Sequence, residues 1–179
     1  AFFCKQSYNN YKVERSGGKW SSQRSFSFYN RAVFGVMAAM LIGEYRHSLD
    51  SKGRVNFPAK LREDLGELFI LSKGLGDRCL FVYSREEWDK LTEKLNGLPL
   101  SKARTLQRFL FSGATQAQPD KQGRVLIPQN LREYAGLQKE LVIVGASNRA
   151  EIWNEQMWEQ MCGEVTADMI AQTMDELDF

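Results

Sequence analysis

Residues 50–66 read Asp-Ser-Lys-Gly-Arg-Val-Asn-Phe-Pro-Ala-Lys-Leu-Arg-Glu-Asp-Leu-Gly, and residues 120–136 read Asp-Lys-Gln-Gly-Arg-Val-Leu-Ile-Pro-Gln-Asn-Leu-Arg-Glu-Tyr-Ala-Gly. Nine of these seventeen positions are identical without a gap. A match of this quality at a fixed offset of 70 residues indicates an internal duplication. Two copies are too few for a long solenoid, and they predict a unit with pseudo-two-fold symmetry.

The composition is typical of a globular protein that can bury a core, since 43% of the 179 residues are hydrophobic and 26% are charged. The charge is unevenly distributed. Residues 1–39 and residues 40–150 each carry a balance of +5, whereas residues 151–179 hold eight Asp or Glu and no Lys or Arg. A basic body with an acidic tail can mark a polyanion-binding surface. Ordinary solvated charges explain the same pattern, so both interpretations stay open.

Three cysteines, Cys4, Cys79 and Cys162, are far apart and show no paired spacing. This arrangement fits neither a disulfide framework nor a zinc site, and it suits a reducing compartment. No apolar run in the sequence approaches the ~18 residues that a membrane-spanning helix needs. We therefore expect a cytoplasmic protein.

Residues 1–39 differ from the rest of the chain. They are basic and rich in Ser, Asn and aromatic residues, and they show no sustained helical or strand periodicity. We expect a disordered arm or a start codon assigned too early, because Met40 begins a segment that is complete in itself. An organelle transit peptide is the less favoured interpretation.

The first copy begins with a predicted hairpin. Residues 41–49 predict a strand with Tyr45 and Leu49 on its inner face. Residues 50–53 predict a tight turn, because an Asp side chain accepts a backbone N–H two residues on and glycine supplies a positive φ. Residues 54–57 predict the return strand.

Alternation along that return strand separates two faces. Val55 and Phe57 point one way and Arg54 and Asn56 the other, and Pro58 ends the strand. Further along, the first copy predicts a short helix at 59–65, strands at 68–71 and 79–83, and helices at 85–96 and 101–112. The second copy predicts strands at 114–118, 124–127, 141–144 and 150–153, helices at 128–135 and 155–161, and an acidic helix within 164–179.

The sequence lacks the motifs of the common catalytic and cofactor-binding sites. A single histidine, His47, removes most acid–base constellations and lies beside the first turn, where a structural role is the simpler interpretation. Gly74-Leu-Gly76 resembles part of a phosphate-binding loop, but Cys79 stands where the third glycine would be, so it predicts a turn. We expect no enzyme activity, no cofactor and no metal.

The motif that is present twice is Asp-x-x-x-Arg, at Asp50/Arg54 and Asp120/Arg124. Each pair could simply brace its hairpin by an exposed ion pair, which contributes about 0–1 kcal/mol. Alternatively, each turn projects an arginine that the aspartate orients, and the guanidinium fork suits phosphate oxygens and the major-groove edge of guanine. Basic neighbours favour nucleic-acid binding: Arg46, Lys52, Lys60, Arg62, Lys121 and Arg132.

The stretch 45–62 together with the second Asp-Lys-Gln-Gly-Arg-Val-Leu-Ile-Pro resembles the bacterial MraZ family over about 140 residues. The resemblance implies an α+β, mainly β fold with two tandem AbrB-like (SpoVT-type) swapped-hairpin units that form a pseudo-two-fold β-barrel core with flanking helices. The units would span residues 44–90 and 114–158, with connecting helices at 91–113, an acidic tail at 159–179, and residues 1–39 outside the family.

The same resemblance implies a transcriptional regulator of the division and cell-wall gene cluster. It would bind direct repeats in double-stranded promoter DNA as a ring of copies, often an octamer, and would associate with the nucleoid. The contact with DNA would fall on Arg54 and Arg124. We expect the first hairpin to make more phosphate contacts, because Gln122 replaces Lys52 and Asn130 replaces Lys60. An antitoxin-like protein-binding module and a ring-forming scaffold are the alternatives.

Overall fold

A computed structural model describes residues 40–177, so the expectations for residues 1–39 lie outside the described residues. Within this range the fold has eight strands and six helices. The first repeat contains β1 (Glu44–Ser48), β2 (Arg54–Asn56), α1 (Ala59–Leu65), β3 (Phe69–Lys73), β4 (Leu80–Ser84) and α2 (Arg85–Asn96). Helix α3 (Leu100–Gly113) leads to the second repeat, which contains β5 (Thr115–Ala117), β6 (Arg124–Leu126), α4 (Gln129–Tyr134), β7 (Glu140–Gly145), β8 (Ala150–Asn154) and α5 (Glu155–Glu164). Helix α6 (Ala167–Glu176) follows.

The two repeats exchange their first strands. Strand β1 pairs antiparallel with β7 of the second repeat, and β5 pairs antiparallel with β3 of the first. The hairpins β3–β4 and β7–β8 are joined by pairing between β4 and β8. The resulting six-stranded sheet has the order β1-β7-β8-β4-β3-β5, which is unchanged when the repeats are interchanged.

Strands β2 and β6 form a separate two-stranded sheet, called here the ribbon. Val55 on β2 lies opposite Val125 on β6, and in the larger sheet Phe81 lies opposite Glu151. Each pair consists of equivalent residues of the two repeats. A pseudo-two-fold axis therefore passes through the centre of the ribbon and through the centre of the six-stranded sheet.

The core lies between the ribbon and the sheet. Val55 and Val125 are fully buried. Phe57 and Ile127, which directly follow β2 and β6, are buried beside them. All four belong to one hydrophobic cluster with side chains of the sheet, among them Leu71, Leu80, Val82, Leu141, Ile143 and Ile152. The α+β class is confirmed. The six-stranded sheet is open, so a closed barrel is not confirmed.

The short helices α1 and α4 are held by this core, as their length requires, because isolated helices of six or seven residues are unstable in water. Leu61 and Leu65 of α1 are buried, and so are Leu131 on α4 and Ala135 directly after it. The core therefore stabilises both short helices through these buried side chains.

Helices α2 and α5 begin at equivalent capping residues. The Ser84 hydroxyl accepts the Glu87 N–H at 3.2 Å, and the Asn154 side-chain oxygen accepts the Met157 N–H at 3.2 Å. Trp88 on α2 packs against Tyr83 with ring centroids 5.8 Å apart. At the same places in the second repeat, Trp158 and Trp153 pack with centroids 5.6 Å apart.

The acidic tail forms its own helix, Ala167–Glu176, within the predicted range 164–179. The chain leaves helix α5 at Glu164, and α6 begins only at Ala167, where Thr166 Oγ1 accepts the Met169 N–H at 3.2 Å. None of the residues of α6 is buried, and its apolar side chains Met169, Ile170 and Met174 are about half exposed. Among the helices of residues 40–177, none is long and apolar enough to cross a membrane.

Candidate nucleic-acid interface

The Asp50 carboxylate organises the first hairpin. Its Oδ1 accepts the backbone N–H groups of Lys52 and Arg54, each at 2.9 Å. Its Oδ2 accepts Arg54 Nε at 2.7 Å and Arg54 Nη2 at 2.6 Å. Gly53 closes the turn with φ of 74°, a conformation that glycine adopts readily. One carboxylate therefore holds both the backbone of the turn and the guanidinium of the arginine.

The second hairpin reproduces this geometry. Asp120 Oδ1 accepts the N–H groups of Gln122 and Arg124 at 2.9 Å, and its Oδ2 accepts Arg124 Nε at 2.8 Å and Nη2 at 2.7 Å. Gly123 has φ of 78°. The two Asp-x-x-x-Arg motifs are thus equivalent in structure as well as in sequence.

These hydrogen bonds lower the pKa of both aspartates to about 2. For Asp50 the backbone N–H of Arg54 contributes most and the Arg54 side chain next, whereas for Asp120 the Arg124 side chain contributes most. Both carboxylates are therefore ionised at neutral pH. Each aspartate balances the charge of its arginine, so the pair fixes the direction of a hydrogen-bonding fork and adds little net charge.

The outward face of the ribbon carries both arginines. Because β2 and β6 are antiparallel, Arg54 lies opposite Leu126 and Asn56 lies opposite Arg124. The four side chains share the face opposite the buried Val55 and Val125. Asn56 and Leu126 are exposed, while Arg54 and Arg124 are half-buried and paired with their aspartates.

Arg62 and Arg132 connect the repeats. Arg62 Nε donates to the Phe57 carbonyl oxygen at 3.0 Å, and its guanidinium lies against Gly123 in the hairpin of the other repeat. A β carbon placed on Gly123 would lie 2.8 Å from Arg62 Cζ. Arg132 makes the equivalent contacts, donating to the carbonyl of Ile127 and covering the glycine of the first turn, where a β carbon would lie 2.8 Å from Arg132 Cζ.

The remaining predicted DNA contacts fall at different places. Lys52 and Lys121 are exposed at the tips of the two hairpins, and Lys60 is exposed at the start of α1. Arg46 lies on β1 of the six-stranded sheet, where its Nη1 donates to Glu155 and to Glu159 Oε1, the latter at 3.1 Å. The lysines are thus available to a ligand at the hairpins and α1, whereas Arg46 is bound to carboxylates of α5.

The structure also shows where His47 and the Gly74-Leu-Gly76 segment lie. His47 is half-buried on β1, and burial lowers its pKa. Gly74 donates its N–H to the Cys79 carbonyl at 2.9 Å, and Gly76 has φ of 94°, so the predicted turn there is confirmed. In the part of the chain that the structure describes, no group of His, Cys, Asp and Glu could hold a metal ion.

Fold and site together define a duplicated protein in which two strand-exchanged repeats present a ribbon with two aspartate-held arginines. The family model described as "MraZ protein, putative antitoxin-like" matches the chain twice, at residues 40–109 and 110–179. The chain belongs to the MraZ family of transcriptional regulators.

Several curated relatives agree with this membership. The chain is 60% identical over 142 residues to a protein of Caldicellulosiruptor bescii named transcriptional regulator MraZ, a match that covers 77% of this chain and 99% of the relative. The protein of the same name from Caldicellulosiruptor saccharolyticus is 58% identical with the same coverage. That from Acetivibrio thermocellus is 54% identical over 139 residues, covering 75% of this chain and 96% of the relative.

Proposed function

We propose that this chain binds double-stranded promoter DNA through the ribbon and its hairpin tips, and that it does so as a ring-shaped homo-oligomer on direct repeats upstream of the division and cell-wall gene cluster. The observation that carries the proposal is the presence of two arginines on one exposed face, each held by an aspartate in the same geometry. Such binding would place the protein at the nucleoid in the cytoplasm.

The geometry suits the wide major groove, which admits a two-stranded ribbon. Asp50 engages Arg54 through Nε and Nη2, which leaves the Nη1 end of the guanidinium to donate to a phosphate or to guanine O6 and N7. Holding the side chain in advance reduces the conformational entropy lost on binding. Lys52 and Lys121 would add contacts with phosphates on either side of the ribbon.

Arg62 and Arg132 would support this binding by fixing the positions of the hairpins, in addition to any contact of their own with phosphate. Each guanidinium packs on the glycine of the opposite turn, so the two tips are held at a defined separation. We also propose that the ribbon and the larger sheet enclose the shared core as an AbrB-like barrel.

A ring would strengthen binding without new kinds of contact. Each copy carries only a few basic side chains at its tips, so a single copy would bind weakly. Several linked copies that meet successive repeats would gain affinity by raising the effective concentration of each site, provided that the spacing of the repeats matches that of the copies. Affinity should fall steeply with salt, because each phosphate neutralised releases condensed counterions.

Fluorescence anisotropy on a duplex with tandem promoter repeats tests the proposal through Arg54→Ala and Arg124→Ala. We expect each variant to weaken binding at least tenfold and to lower the dependence on salt. Arg85→Ala is the matched control, because Arg85 forms an ion pair with Asp89 at the same spacing of four residues but lies on α2. Unchanged affinity in both ribbon variants would remove the ribbon as the contact.

The exposed apolar side chains of α6 favour a second candidate function, an antitoxin-like module that binds another protein through its acidic tail. Co-purification of a basic protein that is lost when residues 165–179 are removed would favour this function. Assembly of rings that do not bind DNA at any salt concentration would instead favour a scaffold.

A further inference from the structure

The ribbon is symmetric in its backbone but not in its side chains. The pseudo-two-fold axis exchanges Arg54 with Arg124, which are identical, and Asn56 with Leu126, which are not. Both members of the second pair are on the outward face, and Leu126 is 57% exposed. One exposed leucine alone would need no explanation. Its position opposite an aspartate-held arginine distinguishes this leucine from others on the surface.

Each arginine consequently has a different cross-strand neighbour. Side chains directly opposite each other on an antiparallel pair have β carbons about 4.5–5.5 Å apart. Arg124 therefore stands beside an amide, and Arg54 beside an aliphatic side chain. The base pair next to the one contacted by Arg54 would therefore face Leu126, and the base pair next to the one contacted by Arg124 would face Asn56.

The two neighbours favour different base edges in the major groove. The amide of Asn56 can both donate to and accept from adenine at N6 and N7, whereas Leu126 can only make apolar contact, for which the thymine methyl group is the partner. We propose that Asn56 and Leu126 are specificity-determining residues that make the two ribbon strands read different bases. This inference rests on the proposed function, in which the outward face of the ribbon enters the groove.

The consequence concerns the symmetry of the site. A DNA-binding protein with a true two-fold axis fits a palindromic DNA site, because its two halves make the same contacts. With Asn56 on one side of the axis and Leu126 on the other, the two halves of the preferred site differ. Each copy of the protein then has a defined direction on the duplex, and successive copies pointing the same way would require repeats that also point the same way.

The hairpin tips also differ, since Lys52 corresponds to Gln122 and Ser51 to Lys121. The tips lie beyond the ends of the ribbon strands, so their contribution can be separated from that of the face by substitution. Lys52→Gln makes the two third positions of the turns identical and leaves Asn56 and Leu126 unchanged. It is therefore the matched control for a change on the face.

Selection of bound duplexes from a random pool tests the inference with the wild type, Leu126→Asn, Asn56→Leu and Lys52→Gln. We expect the wild type to select a site whose two halves differ next to the bases read by the arginines. Leu126→Asn should select adenine at both of the symmetry-related base positions. In Asn56→Leu, the enrichment of adenine over the other bases should fall by about tenfold. Lys52→Gln should weaken binding while leaving those positions unchanged.

Both face variants exchange exposed strand residues, so circular dichroism should show unchanged folding. The inference is overturned if Leu126→Asn and Asn56→Leu select the same bases as the wild type, or if Lys52→Gln alone changes them. A wild type that enriches no sequence, or that does not bind DNA, overturns the proposed function and the inference together. If the wild type enriches a specific sequence and the two face variants enrich the same bases, the inference is overturned but the proposed function is not.

Discussion

Arg62 and Gly123 belong to different repeats and are in contact across the pseudo-two-fold axis. The guanidinium lies where the side chain of any other residue at position 123 would begin, and its Nε is fixed on the Phe57 carbonyl at 3.0 Å. Gly123 is thus required twice, for its positive φ of 78° and for the space that it leaves. Arg132 and Gly53 repeat the arrangement.

Gly123→Ala should destabilise the protein more than an ordinary glycine substitution at positive φ. Gly136→Ala is the control, since Gly136 has φ of 58° and a β carbon there would lie an acceptable 3.9 Å from Met157 Sδ. The control should cost about 1–2 kcal/mol of unfolding free energy for the left-handed backbone. Gly123→Ala should cost about 1 kcal/mol more, because displacing Arg62 breaks its hydrogen bond. Urea unfolding followed by circular dichroism measures both, and equal costs would contradict the contact.

A double-mutant cycle should show that Arg62 and Gly123 are coupled. In an Arg62→Ala background the methyl group of Gly123→Ala meets no guanidinium, so the substitution should cost about 0.5–1.5 kcal/mol less than in the wild type. Arg62→Ala combined with Gly53→Ala should be additive, because Gly53 is covered by Arg132 instead. Equal coupling in the two cycles would rule out contact across the axis as the cause.

The two hairpin aspartates should contribute to acid stability. Their pKa values of about 2 in the folded protein lie below the ordinary value of 3.8. Their contribution is fully present above pH 4 and is lost as the pH falls through 2, because the unfolded chain binds the protons first. Carbon NMR of the side-chain carboxyl groups should give midpoints near pH 2.

The corresponding variants test the same linkage by unfolding. Asp50→Asn with Asp120→Asn should be less stable than the wild type at pH 7 and should show a flatter decline between pH 4 and pH 2. Asp64→Asn, at an exposed position of α1, serves as the control and should retain the decline of the wild type. Parallel declines in all three proteins would show that other groups determine acid stability.

Removal of residues 165–179 should leave the folded core intact. No residue of α6 is buried, so the unfolding free energy should change by less than about 0.5 kcal/mol. Leu61→Ala, a substitution at a fully buried position, should cost about 2–5 kcal/mol in the same assay and shows that the assay responds to the core. A loss of more than 2 kcal/mol on truncation would mean that the tail packs on the body.

Local signals predicted the elements of this fold well. The bounds predicted for α2, 85–96, match the structure. The Asp-x-x-x-Arg spacing with its glycine predicted both turns, because each turn depends only on neighbours in sequence. The acidic helix was also predicted, since α6 lies within the range 164–179. Only its exact start was not given, and Thr166, whose side chain accepts the Met169 N–H, was the available signal for a start at Ala167.

Contacts between the repeats could not be derived from spacing alone. Arg62 and Arg132 are basic residues that follow the two Asp-x-x-x-Arg motifs in sequence, and the charge pattern predicts that they contact phosphate. The structure shows that each packs on a turn 61 or 79 residues away in sequence, a relationship that only the exchange of strands creates. Their role in binding DNA stays a prediction, and their contact with the opposite hairpin is an addition to it.

The exchange of strands also affects how the sequences of the two repeats can diverge in evolution. A single repeat would leave β1 without β7 and β2 without β6, so it could complete its sheets only by pairing with a second molecule. Joining two repeats in one polypeptide makes that pairing intramolecular and independent of protein concentration. In a homodimer every substitution would appear on both sides of the axis, whereas the fused chain can alter residue 56 and keep residue 126. Fusion thus gave a symmetric scaffold the freedom to diverge one half at a time.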